Sequence, residues 1–125
     1  MFLLLQGEPM GLDMYLHNAK GEQVAYWRKA NAIRGWLVEH NIIEADDNCV
    51  KRVISKEQIA ELIANCKKVL ENRSLAEEIM PTTEGFFFGS QGYDDMYAED
   101  LQATVDQLSP LLEQDYNFWI YYDWW

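Results

Sequence analysis

The sequence predicts an α+β fold, with a small antiparallel sheet of about four strands and two to three helices packed on one face. Three observations support this. Short stretches near the start alternate apolar and polar residues, two later stretches space their apolar residues as a helix does, and the last ten residues read as a strand with aromatic residues on both faces. With 125 residues, of which 49% are hydrophobic, the chain is long enough for one domain with its own core.

The first half of the chain reads as a hairpin, a helix and a third strand. Met14 and Leu16 alternate with their neighbours, and Val24 and Tyr26 resume the alternation after the turn "NAKGEQ". The segment "KANAIRGWLVEHN" then places its apolar residues on one helical stripe. After the loop "IIEADDN", the segment "CVKRVI" is the next candidate strand.

The clearest helix begins after Ser55, since Gln58 follows three residues later and the two residue types form a capping box. Residues 75–80 extend this helix or add a short turn, and Pro81 stops it. The helix has an apolar face with i, i+3, i+4, i+7 spacing, made by Ile59, Leu62, Ile63, Cys66, Val69 and Leu70.

The last third predicts a second long helix from about Asp94, which Pro110 kinks or splits, and then a final strand. The strand "YNFWIYYDWW" carries aromatic residues on both faces, so one face must meet another layer, a partner or water. The buried stripe of the helix is predicted to contain Tyr97, Leu101, Val105, Leu108 and Leu112.

Three consecutive phenylalanines stand between two glycines in "GFFFG", residues 85–89. Side chains alternate along a strand, so Phe86 and Phe88 cannot face the same way as Phe87. The segment is therefore either a strand buried on both faces or a loop that carries one exposed aromatic ring. Burial in the core is the more frequent outcome for such a sequence.

Charge separates the last third from the rest of the chain. The net charge is −11, and residues 81–125 hold nine acids, no lysine or arginine, and twelve of the seventeen aromatic residues. Such a surface repels nucleic acid and attracts a basic protein surface or a cation. The alternative is a soluble domain whose charge only prevents aggregation.

The sequence contains no recognisable catalytic, metal or cofactor motif, so we predict a non-enzymatic protein with no cofactor. His17 and His40 lie in different elements, and Cys49 and Cys66 form no CxxC pair, so no metal site is expected. We expect both cysteines to be buried and reduced. No apolar run has the length of a signal peptide or a membrane span, which predicts a cytoplasmic protein without membrane contact.

One basic cluster stands out in "YWRKAN", where a predicted strand passes into a helix. The free N–H groups at a helix start favour an anion, and an aromatic ring there could stack on a base. One alternative is therefore an anion or nucleotide site. The other is that the basic side chains pair with acidic side chains of the same fold. The residues of this site would be Trp27, Arg28, Lys29, Asn31 and Arg34.

The codons for "QGEPM" can contain a purine-rich bacterial ribosome-binding sequence just before the codon of Met10. We therefore expect Met10 to be a genuine start, residues 1–9 to be a non-native leader or an arm, and residues 10–125 to be the single domain.

Three blocks, "GLDMYL", "YWRKANAIRGWL" and "PTTEGFFFGSQGYDDMYAEDL", resemble a family of short uncharacterised proteins from bacteriophages and prophages. The resemblance covers most of the chain, starting at Met10, and departs at Arg34, where the family has a histidine. It implies a small accessory protein of a phage, expressed inside a bacterial cell.

Together these features predict a phage antagonist that blocks a host protein, such as a defence nuclease complex, by mimicking nucleic acid with an acidic, aromatic surface. The alternative is a protein that binds a nucleotide signal at the "YWRKAN" cluster. We also expect the outward face of the tail, with Trp125, to support self-association as a homodimer or the partner contact. The predicted contact residues are Tyr93, Asp94, Asp95, Tyr97, Glu99, Asp100 and Trp125.

Overall fold

The computed structural model describes residues 11–82 and 92–125, and within these ranges it contains one four-stranded antiparallel sheet. This confirms the predicted fold class. The "GFFFG" segment and the proposed leader lie outside the described residues. The strands are β1 (Asp13–His17), β2 (Gln23–Arg28), β3 (Arg52–Ser55) and β4 (Phe118–Trp124), in the spatial order β2-β1-β4-β3.

The helices lie where their periodicity predicts them. Ser55 accepts a hydrogen bond from the Gln58 N–H, and Gln58 accepts one from the Ser55 N–H, so the predicted capping box is present. Pro110 lies in a 3₁₀ turn that directly follows the last helix. The helices are α1 (Asn31–Glu39), α2 (Lys56–Glu71), α3 (Ala76–Ile79) and α4 (Asp95–Leu108), with 3₁₀ turns at Arg73–Leu75 and Ser109–Glu113.

One face of the sheet forms the core with the helices. Met14 and Leu16 of β1 are buried, and the intervening residues are partly exposed, as alternation requires. Trp27 of β2 lies on the same face, where its indole N–H donates to the hydroxyl of Thr104 on α4 at 2.8 Å. This bond satisfies a buried donor and aligns α4 with the sheet.

The opposite face of the sheet, called the open face below, is more exposed and is also aromatic. Tyr15 of β1 lies between Tyr26 of β2 and Tyr122 of β4, with ring centroids 5.3 and 6.1 Å away. Val53 of β3 and Phe118 of β4 are among its exposed apolar side chains. Within residues 11–82 and 92–125, the four strands therefore separate an apolar face that the helices cover from an aromatic face that no helix covers.

The tail strand resolves which of its two faces is buried. Trp119, Tyr121 and Asp123 point into the core, and Phe118 and Trp124 point outward with Ile120 and Tyr122 between them. Trp125, expected on the outward set, is instead partly buried. Its indole N–H donates to the Asp47 carbonyl at 2.8 Å.

Candidate functional site

Most of the contact residues predicted in the last third lie at the start of α4. Asp94 caps this helix by accepting hydrogen bonds from the N–H groups of Met96 and Tyr97, so its carboxylate has a local structural role. Asp95 and Glu99 are exposed beyond it. A negative residue at a helix start is also stabilised by the helix dipole.

The exposed acids follow one stripe of α4. Asp95, Glu99 and Asp106 are separated by four and seven residues, a spacing that keeps them on one side of a helix. The stripe is roughly 16 Å long at about 1.5 Å per residue. We call Asp95, Glu99 and Asp106, with the exposed Met96 beside them, the acidic stripe. Its exposed member Asp106 was not among the predicted contact residues, although its spacing could have revealed it.

Two apolar side chains stand at the start of the acidic stripe. Met96 is 67% exposed and Tyr93 is 38% exposed. The Tyr93 ring packs edge-on against Tyr97 at 5.0 Å, and its hydroxyl oxygen accepts a hydrogen bond from the Thr82 N–H. Tyr93 is thus held in place while part of it remains accessible. Met96 was not predicted, since an isolated methionine next to two acids carries no recognisable pattern.

Tyr97 was predicted as a contact residue and also as part of the buried helix stripe, and the structure shows only the second. Its side chain is 5% exposed, and its hydroxyl donates to the Met80 carbonyl at 2.7 Å. Burial raises the pKa of this hydroxyl well above its ordinary value of 10.0. Tyr97 therefore fastens α4 to the end of α3 and cannot contact a partner directly.

Asp100 lies on the inner edge of α4. Burial, followed by the neighbouring charges of Glu99 and Asp94, raises the pKa of its carboxyl from 3.8 to about 6. A small hollow of about 30 Å³ lies beside it and is also lined by Lys29 and Asn31. Asp100 is thus placed toward the start of α1 rather than out to solvent.

The "YWRKAN" residues do not present their charges to one ligand. Arg28 forms an ion pair with Asp13 at 2.8 Å across the hairpin, and Trp27 is buried against α4. Lys29 takes a left-handed backbone conformation at φ 57° and lies near Asp100. Asn31 is buried in the first turn of α1. The geometry therefore gives no support to a nucleotide site built on this cluster.

Arg34 is the buried base of the cluster, and its guanidinium is paired within the fold. Its Nε donates to a carboxylate oxygen of Asp123 at 2.8 Å, in an ion pair whose side chains are 3% and 1% exposed. Two further nitrogens donate to the carbonyls of Ala45 and Asp47 at 3.2 and 2.9 Å. The Trp125 ring lies 5.5 Å from the guanidinium carbon, within cation–π range. Arg34 and Trp125 thus join α1, the 44–49 loop and the chain end.

The cysteines differ from expectation in one respect. Cys66 is buried in α2, where burial raises the pKa of its thiol to about 12. Cys49 is exposed, with a left-handed backbone at φ 62°, and its N–H donates to the Asp123 carbonyl at 2.8 Å. Its role is therefore to close the end of β4 through its backbone.

Within residues 11–82 and 92–125, no cluster of three or more His, Cys, Asp or Glu side chains is arranged to hold a metal ion. In the same ranges, no helix has the length and apolar character needed to cross a membrane. No family model, curated protein or solved structure matches the chain.

Proposed function

We propose that this protein is a non-enzymatic antagonist that binds a basic surface of another protein through the acidic stripe of α4. One observation carries the proposal. The exposed acids of α4 share one side of the helix, and no lysine or arginine occurs anywhere in residues 81–125 to neutralise them from within this segment. The resemblance to phage proteins makes a host defence protein that binds nucleic acid the proposed target.

The stripe would act by occupying sites that normally receive phosphate groups. Carboxylates at intervals of roughly 6 and 10 Å along a rigid helix present repeated negative charge, as a nucleic-acid backbone does. Met96 and Tyr93 would supply apolar contact area beside the charges. The buried Tyr97 would keep the helix rigid, so that little ordering is required on binding.

The test is affinity capture from a bacterial lysate with two triple variants. The first, Asp95→Asn with Glu99→Gln and Asp106→Asn, removes three charges from the stripe. The matched control removes three exposed charges elsewhere, by Glu39→Gln, Glu57→Gln and Glu71→Gln. An exposed ion pair with the partner contributes roughly 0.5 kcal/mol. Loss of three such pairs costs about 1.5 kcal/mol, so the stripe variant should weaken capture about tenfold.

The control variant should retain the captured protein, and raising the salt concentration should release it, because exposed charges are screened within about 10 Å at 0.1 M salt. Equal capture by both triple variants would contradict the proposal, as would capture that is indifferent to salt. Mass spectrometry of the retained material then identifies the partner.

A further inference from the structure

The open face of the sheet contains a hollow of about 570 Å³ that the acidic stripe does not share. Its floor is made by Val53 of β3 and by Phe118, Ile120 and Tyr122 of β4. Ile120 lies opposite Val53 on one side and opposite His17 on the other, so the floor crosses three strands in register. The turn between β1 and β2 forms one wall.

The size of the hollow suits a small molecule better than a protein. Ligand sites in proteins commonly have volumes of 300–1,000 Å³ and mainly apolar linings. A second copy packed on this face is less well supported. Four strands at about 4.8 Å spacing, with a mean length of roughly 19 Å, offer about 360 Å² per partner, well below the roughly 800 Å² of a stable interface.

The charge at the hollow is opposite in sign to that of the chain. Among the described residues that line it, the charged ones are Lys51 and Arg52 and none is an aspartate or glutamate, although the chain has a net charge of −11. Both oxygens of the Asp47 carboxylate bind Arg52, at 2.7 and 2.9 Å, which neutralises that guanidinium. Lys51 is exposed and forms no ion pair within the described parts of the chain. Its ammonium group therefore remains as a local attraction for an anion.

The floor favours a ring. Phe118 is 42% exposed and Val53 is 59% exposed, and the Tyr122 ring belongs to the tyrosine row of the open face. Aromatic and β-branched side chains on a sheet give a flat apolar surface on which a planar ring can stack, with a contribution of about 1–3 kcal/mol per base in nucleic-acid-binding sheets.

We propose that this hollow binds a small aromatic anion, with the planar ring on Ile120, Phe118 and Val53 and the anionic group beside Lys51 and His17. The chemistry is shared by mononucleotides and by aromatic carboxylates. The proposal is independent of the acidic stripe, because the two surfaces have no residue in common.

Isothermal titration calorimetry of the full chain tests the contributions of the ring and of the anionic group separately. The probes are adenosine 5′-monophosphate, adenosine, inorganic phosphate and 1-naphthoate. At least one aromatic anion should bind more tightly than both adenosine and inorganic phosphate, and whether it is the nucleotide or the carboxylate identifies the class. Amide chemical shifts at Val53 and Ile120 should move on binding.

Two variants test the location. Lys51→Glu reverses the charge beside the hollow, and Val53→Glu places a carboxylate on its floor. Each should weaken binding by about tenfold or more, whereas Lys67→Glu on the exposed side of α2 makes the same charge change as Lys51→Glu and should have no effect. Circular dichroism checks that all three variants are folded.

Three outcomes would overturn the proposal. In the first, neither aromatic anion binds better than adenosine and phosphate. In the second, Lys51→Glu and Lys67→Glu behave alike. In the third, the protein forms a dimer that Phe118→Ser dissociates and that binds neither aromatic anion, which would assign the open face to a second copy.

Discussion

Replacing Arg34 with methionine is expected to destabilise the protein more than any substitution on the acidic stripe. The guanidinium of Arg34 donates to Asp123 and to two backbone carbonyls, and its side chain is only 3% exposed. Methionine fills a similar volume but donates nothing. The carboxylate of Asp123 would remain buried with the Tyr121 hydroxyl, 2.7 Å away, as its other side-chain donor.

The expected loss follows from what is left unpaired. Removing one partner of a buried ion pair typically costs about 3–5 kcal/mol, because the other charge stays without compensation. The total stability of a domain is only about 5–15 kcal/mol, so the Arg34→Met variant would be folded marginally. Arg34→Met combined with Asp123→Asn should recover part of this loss, since the buried charge is then removed as well.

Urea unfolding followed by tryptophan fluorescence measures both variants. Arg28→Met is the matched control, because Arg28 also pairs with an aspartate but its side chain is 50% exposed, and such pairs contribute about 0–1 kcal/mol. The reasoning would be refuted if Arg34→Met cost no more than Arg28→Met. It would also be refuted if the double variant were no more stable than Arg34→Met alone.

Two further predictions concern α4 and α2. Asp100→Asn should stabilise the protein at pH 8 by about 1 kcal/mol once solvent screening is counted, and should have almost no effect at pH 4. The pKa of Asp100 is raised from 3.8 to about 6 in the fold, so the cost of burying the carboxylate grows as the pH rises from about 4 and is complete above about 6. An equal effect at both pH values would contradict this account. Ser55→Ala removes half of the capping box and should lower stability by about 1 kcal/mol in urea unfolding, whereas an unchanged midpoint would mean that the cap contributes nothing.

The order of strands and helices follows from local patterns. The capping box at Ser55 and the cap at Asp94 act within three residues, so the sequence alone locates the starts of α2 and α4. The ion-pair partner of Arg34, in contrast, could not be predicted from the sequence. Asp123 lies 89 residues away, and nothing in the local pattern distinguishes it from the eight other acids of the last third.

On α4, the charge pattern and the burial pattern assign the same residue to different surfaces. The contact prediction was therefore ambiguous. Tyr97 fits the buried stripe by spacing and the aromatic surface by composition, and burial is what the structure shows. Composition reports how many acids a segment carries but not which of them face solvent. The helical spacing of Asp95, Glu99 and Asp106 does report this, because it repeats with the turns of the helix.

In the last strand, a shift of one residue in the alternation decides whether each tryptophan faces the core or the open face. Alternation defines two sets in "YNFWIYYDWW", but both are aromatic, so hydrophobicity cannot assign either to the core. In the structure, Asp123 lies on the buried side, where Arg34 pairs with its carboxylate and offsets the cost of burying the charge. Trp119 and Tyr121 then share the buried side with it, and Trp124 is left 52% exposed on the open face. Removing the last three residues would therefore break the buried ion pair, so substitutions of single outward side chains are the sound way to test that face.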